Sequence, residues 1–145
     1  MKGDDITATD ASPKPLHPHA ALAWAFLQGL CVGGDLDEAF RVLSDDFVYW
    51  SNVTRTESDK RYLREASDWR TRFVPITLEL QRAVVDGNVV VIEAEGDGTT
   101  LDGDRYNNVY AYVMEVRDGQ VTSMREHCDT KLALDVFRRP RPDQK

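Results

Sequence analysis

The sequence has 145 residues, 41% hydrophobic and 30% charged, with a formal net charge of −7 at pH 7 from 18 Lys+Arg against 25 Asp+Glu. That length is a prior for one domain around one core. The composition excludes a collagen-like repeat, a wholly disordered chain and a membrane span, because the longest apolar stretches, residues 20–27 and 89–92, fall far short of the ~20 residues a span needs. The acidic balance also argues against nucleic acid and anionic membranes as partners.

Residues 1–18 read as a flexible arm punctuated by Pro13, Pro15 and Pro18. No apolar segment follows Lys2, Asp4 and Asp5, so no signal peptide is read and the cytoplasm is the expected compartment. His17 and His19 close the arm as solvated side chains. Leu22, Phe26, Leu27 and Leu30 then recur at helical spacing, with Ala23 and Trp24 broadening the face, which predicts a helix over 19–32 stopped by Gly33-Gly34. Asp35, with Glu38 three residues on, predicts a capped second helix carrying Leu36, Ala39, Phe40 and Leu43. Ser44-Asp45-Asp46 reads as a turn, 47–50 as a short strand and 52–57 as a loop. Ser58 is expected to cap a third helix over 59–73, with Tyr62, Leu63, Ala66, Trp69 and Phe73 at helical spacing and Pro75 ending it.

After Pro75 the period becomes two: Ile76, Leu78 and Leu80 alternate with Thr77, Glu79 and Gln81. Asp86-Gly87-Asn88, the glycine-bearing stretch 96–104 and Arg117-Asp118-Gly119 are hairpin signals, bounding strands that begin at Ile76 and span 89–95, 106–116 and 121–128. Asp129 opens a short final helix through Phe137. Arg138, Arg139 and Arg141, interleaved with Pro140 and Pro142, form a basic, solvated tail over 138–145. Helices first and hairpins later predict one α+β domain over 19–137, its helices on one face of a curved antiparallel sheet. Cys31 and Cys128 lack metal-ligand spacing. Gly96, Gly98 and Gly103 lie in a hairpin rather than a strand-to-helix turn, so no metal, nucleotide or other cofactor is expected.

Three segments, GDLDEAFRVLSDDFVYW (34–50), YNNVYAYVMEVRDGQV (106–121) and REHCDTKLALDVF (125–137), make the chain resemble the nuclear transport factor 2-like superfamily, in its ketosteroid isomerase and SnoaL-like polyketide cyclase branch. The resemblance implies a sheet curled into a cone around the first helix, with a pocket at its open end. It also implies a homodimer through the opposite sheet face. In the strand from Tyr106, the odd positions Val109, Ala111 and Val113 are small and apolar, which independently suits a face covered by a second copy. The fold hosts isomerases, cyclases, epoxide hydrolases, dehydratases and non-catalytic binding modules, so it does not fix function.

Matching Arg117-Asp118-Gly119 to the family's hairpin turns Asn108, Tyr110 and Tyr112 into the cone together with Met124, Glu126 and Cys128. An acidic residue at that inward position resembles the acid/base carboxylate of the superfamily's epoxide hydrolases and cyclases. Glu126 is therefore the first catalytic candidate, its pKa expected to rise by desolvation, with Asn108 and Tyr110 as hydrogen-bonding partners. The alternative is a structural Glu126 paired with Arg105 or Arg125. Asp129 is either a second acid/base group or the cap of the last helix, and His127 is the other runner-up acid/base group, its outward parity suiting a dimer-face or surface histidine. A one-residue slip would exchange these assignments. Trp24, Tyr49, Ser51, Tyr62, Trp69, Tyr112, Met124 and Cys128 are the expected substrate-binding wall.

The departures from the family narrow the chemistry. The isomerase positions for a tyrosine and two carboxylates fall near Leu27, Ser51 and Tyr112, so that proton shuttle is missing. The Arg–Asp alternation of the epoxide hydrolases falls on Tyr110 and Tyr112, and inward histidines for dehydration are not evident. What the sequence leaves is a cofactor-free enzyme of the cyclase or isomerase type. It would act by acid/base chemistry on a hydrophobic, oxygenated, polyketide- or terpenoid-like small molecule. The alternative is a non-catalytic, dimeric ligand- or partner-binding protein.

Overall fold

A helix enclosed by a curved sheet must be apolar on most of its sides. The sequence PHAALAWAFLQG meets that requirement as helix α1 (Pro18–Gly29). The computed structural model describes residues 16–137, so the predicted arm and basic tail fall outside the described residues, apart from 16–18. Pro18 starts α1, where its missing N–H costs nothing. Ala20, Ala23, Phe26 and Leu27 are buried, and the helix packs across β3 (Ile76–Asp86), β4 (Val89–Gly98) and β5 (Val109–Arg117). It ends short of the expected Val32, and Gly33 turns the chain at φ +82°.

Asp35 caps α2 (Leu36–Phe40) by accepting from the Glu38 amide at 3.2 Å. The reciprocal half of the capping box is absent, because Glu38 pairs with Arg41 instead. The expected turn at Ser44-Asp45-Asp46 is instead part of strand β1 (Leu43–Ser51). Its local hydrogen bond, Ser44 Oγ to Asp46 Oδ1 at 2.8 Å, is absorbed as an irregularity, for β1 takes five residues where its neighbour β6 (Gln120–Cys128) takes two. Ser58 does not cap the third helix. It pairs with Tyr49 in a short strand β2 (Glu57–Asp59), and Asp59 accepts from the Tyr62 amide to cap α3 (Lys60–Phe73). Asp129 caps α4 (Thr130–Phe137) through the Lys131 and Leu132 amides at 3.0 and 3.2 Å.

One six-stranded sheet runs β2-β1-β6-β5-β4-β3. All neighbours are antiparallel except β1 and β6, which run parallel, a departure from the purely antiparallel expectation. The longest predicted strand starts three residues late: Tyr106, Asn107 and Asn108 precede β5, and the Asn107 side chain takes over a ladder role by accepting from the Gly98 amide. Phe26, Leu27, Phe47, Ile92, Met114 and Met124 are fully buried between sheet and helices, each worth roughly 1.5–3 kcal/mol of transfer free energy. The far face carries Val48, Val84, Val89 and Val109, each at least 36% exposed. This is the surface the sequence reading assigned to a second copy. Among the described residues, no helix is long and apolar enough to cross a membrane.

Gly34 joins α1 to α2 where the chain doubles back on itself. A Cβ there would sit 2.6 Å from the carbonyl oxygens of both Gln28 and Gly29, which are backbone atoms with nowhere to go. Gly34→Ala is expected to lower stability by about 1–3 kcal/mol, the usual range for overpacking, measured by urea denaturation with unchanged m-value.

Candidate functional site

Between α1, α3 and the inner face of the sheet lies a cavity of about 300 Å³. Side chains alternate across a strand, so one face of β5 and β6 supplies its floor. Tyr110 is paired with Cys128, and Tyr112 with Glu126. The parallel pairing of β1 with β6 adds Tyr49 and Ser51 to the same face, next to Met124 and Glu126. The opposite wall is the α3 row Leu63, Ala66, Ser67 and Arg70, spaced three and four residues apart as one helix face requires. Leu27, Leu30 and Cys31 close the α1 side, and Ala133 and Phe137 of α4 the end.

The walls are ordered by ring contacts. Tyr110 and Tyr112 stack at 5.4 Å and 12°, while Tyr62, 46% exposed, lies over Tyr49 at 6.5 Å. Trp69 and Tyr106 both meet Phe137, at 5.8 and 5.2 Å.

Among the lining residues there is one carboxylate, Glu126, and one cation, Arg70. The Tyr49 hydroxyl donates to Glu126 Oε1 at 3.2 Å. Burial pushes the Glu126 carboxyl above its ordinary range, with the Arg70 charge and the Tyr49 hydrogen bond opposing the rise. The two expected ion-pair partners are elsewhere. Arg125 lies over the outer face of Trp50 at 4.0 Å, and Arg105 is exposed outside the cavity. The guanidinium comes from α3 instead, a residue the sequence reading passed over, and no ion pair joins it to Glu126.

Most of the expected wall is assembled: Tyr49, Ser51, Tyr62, Trp69, Tyr110, Tyr112, Glu126 and Cys128 all line the cavity. Three expected members are not among the lining residues. Trp24 packs against the core from α1, Met124 is fully buried, and Asn108 is consumed as a clamp. Its Oδ1 accepts from the Val109 and Asp129 amides at 2.8 and 2.9 Å, and its Nδ2 donates to the Tyr106 hydroxyl and the Asp129 carbonyl at 3.0 and 3.1 Å. Asn108 thus ties the start of β5 to the β6–α4 junction and has no capacity left for a ligand. Asp129 is exposed and spent on the helix cap. His127 pairs with Ala111 on the outer face and packs against Trp50 at 5.3 Å. Among the described residues, no group of three or more His, Cys, Asp or Glu is placed to hold a metal ion.

Residues 25–124 match the family model of the SnoaL-like domain, and the chain belongs to that family, within the nuclear transport factor 2-like superfamily. Among solved structures it is similar to an LEH-like epoxide hydrolase from M. tuberculosis, at 25% identity over 83% of this chain and 87% of that one, with a TM-score of 0.67. It is also similar to IdmH of Streptomyces antibioticus, for which a polyketide cyclase role is proposed, at 17% identity over 85% of this chain and 100% of that one, with a TM-score of 0.71. An NTF2-like protein from Anabaena variabilis matches at 20% identity over 82% and 96%, with a TM-score of 0.69. The last two are likenesses of fold. Among curated proteins, none matches the sequence significantly.

The buried phenols make the cavity a source of alkaline instability. Burial, reinforced by neighbouring charge, holds Tyr49, Tyr110 and Tyr112 well above the ordinary phenol range and pushes Tyr106 up to about 12. The native state therefore keeps protons that the unfolded chain releases near pH ~10, so stability is intact below that pH and falls as pH rises through it. Denaturation followed at stepped pH is expected to show this decline. The phenolate absorbance of Tyr106 should then appear at about pH 12, and that of the other three at higher pH or together with unfolding; early phenolate absorbance from these four residues in a still-folded protein would contradict the enclosed cavity.

Proposed function

We propose that this SnoaL-like chain is a cofactor-free enzyme of the cyclase or isomerase type, acting by proton transfer on a hydrophobic, oxygenated small molecule held in the cavity. The supporting observation is a single carboxyl group, Glu126, set among stacked tyrosines with one oxygen engaged by Tyr49. A carboxyl raised above its ordinary range by burial is a better base when ionised and keeps its proton, as an acid, to higher pH.

The reaction class that suits one carboxylate in an apolar, phenol-lined site is proton removal next to a carbonyl. Glu126 takes the proton from carbon, the electron pair moves onto the carbonyl oxygen as an enolate, and Glu126 returns the proton at the same or a conjugated carbon. In this reading Tyr110 and Tyr112 supply flat walls for a ring system, and a cavity of this size and apolarity suits a small-molecule ligand. Neither the isomerase carboxylates nor the Arg–Asp alternation of the epoxide hydrolases stands on these strands. A ligand-binding module without turnover is the competing reading, and that absence favours it.

Exchange of the α-protons of 2-tetralone, an enolisable benzo-fused cyclic ketone, with deuterium from solvent separates the two. The wild type is expected to accelerate exchange, and Glu126→Gln to lose about 10²–10⁴ of that acceleration with no loss of melting temperature. Equal rates in both proteins remove Glu126 from the chemistry; exchange no faster than buffer favours the binding module.

A further inference from the structure

Five cations lie along α3, and four of them have a carboxylate partner: Lys60 with Asp45, Arg61 with Glu65, Arg64 with Asp37 and Arg72 with Asp68. Among the described residues Arg70 is the exception. It lines the cavity, one of its terminal nitrogens, Nη2, is tethered to the Leu30 carbonyl, and the other, Nη1, is buried without a hydrogen-bond partner among the described residues. Leaving a charged donor enclosed and unpaired costs more than leaving a neutral one. A fold that accepts this cost beside a ligand-sized hollow has left the guanidinium available for something that enters.

We infer that the cavity takes a ligand with a flat apolar body and one anionic oxygen group, a carboxylate or an enolate, and that Arg70 is the residue that holds that group. This deepens the reading above by naming the ligand class, and it rests on the cavity being the site. A guanidinium presents paired N–H donors to an oxyanion, and charge-assisted bonds of this kind are roughly twice as strong as neutral ones. The stacked Tyr110 and Tyr112 rings give the apolar body its surface. The Arg70 charge is already felt by Glu126, Tyr110 and Tyr112, the groups a ligand in the cavity would meet. Glu126 is the one lining group that would repel an anion, and its raised titration reduces that repulsion by keeping it neutral over a wider range of pH.

Calorimetric titration with 2-naphthoate and with 2-naphthamide, two probes of nearly the same shape and different charge, tests this. Wild type is expected to bind the carboxylate at least tenfold more tightly than the amide. Arg70→Met should erase the preference, and Arg70→Lys, which keeps the charge and loses the fork, should retain part of it, with melting curves showing that each variant is folded. Should Arg70→Met not fold, a reduced preference in Arg70→Lys carries the test. Glu126→Gln should keep or enlarge the preference, so that this inference and the proton-transfer reading fail separately: equal exchange rates sink the latter while carboxylate preference stands. Binding of the amide as tightly as the acid by wild type, binding of neither probe, or a full preference surviving in both Arg70 variants would overturn the assignment.

Discussion

One extra residue in β6 decides which groups face the hollow. Near the turn, Arg117 pairs with Gln120 and Val116 with Val121; beyond it, Glu115 pairs with Ser123 and Tyr112 with Glu126. Thr122 is the residue in excess, a β-bulge that shifts the ladder by one position, its hydroxyl leaning on the Glu115 carbonyl at 3.4 Å. Carried on without the bulge, the turn-proximal pairing would set Arg125 opposite Tyr112 and expel Glu126 to the outer face. Because a strand has period two, this one insertion exchanges the entire inner and outer sets. It buries Met124, turns the half-buried Glu126 into the cavity, and leaves Arg125 and His127 to pack around Trp50 outside.

That device explains what the sequence could and could not disclose. Asp118-Gly119 is a strong hairpin signal, and both residues do adopt left-handed backbone, at φ 51° and 74°. Yet a tight two-residue turn taken alone implies the wrong phase for Glu126, and nothing in the chemistry of Thr122 announces a bulge. The inward assignment of Glu126 came from resemblance to the family's hairpin, and it agrees with the observed pairing. Gln81 is a second such residue, shifting the β3–β4 register between Leu80 and Arg82. Alternation identified the strand but could not reveal that its phase changes midway.

The helices were legible for a different reason: their apolar spacing and caps are local. Errors there were of one to three residues, as where Asp59 rather than Ser58 caps α3 and α1 stops at Gly29 rather than Val32. Arg70 was invisible because α3 looks like a solvated helix laced with ion pairs, which most of it is. The one available signal was its place in the row Leu63, Ala66, Ser67, Arg70, where a cation stands on the small and apolar face. Asn108 was misjudged in the opposite sense. Its parity does turn it inward, but its amide satisfies backbone groups at the mouth of β5 and so serves the architecture.

The proton-transfer reading of this cavity depends on Glu126 sitting enclosed on the inner face. The most direct test is a carboxyl-carbon NMR titration of ¹³C-labelled glutamate, with the Glu126 resonance identified by its disappearance in Glu126→Gln. An inflection displaced upward from the ordinary glutamate value of about 4.3 is the result expected of a buried carboxyl beneath α1 and α3. An inflection at or below that value would place the group in solvent and contradict the account.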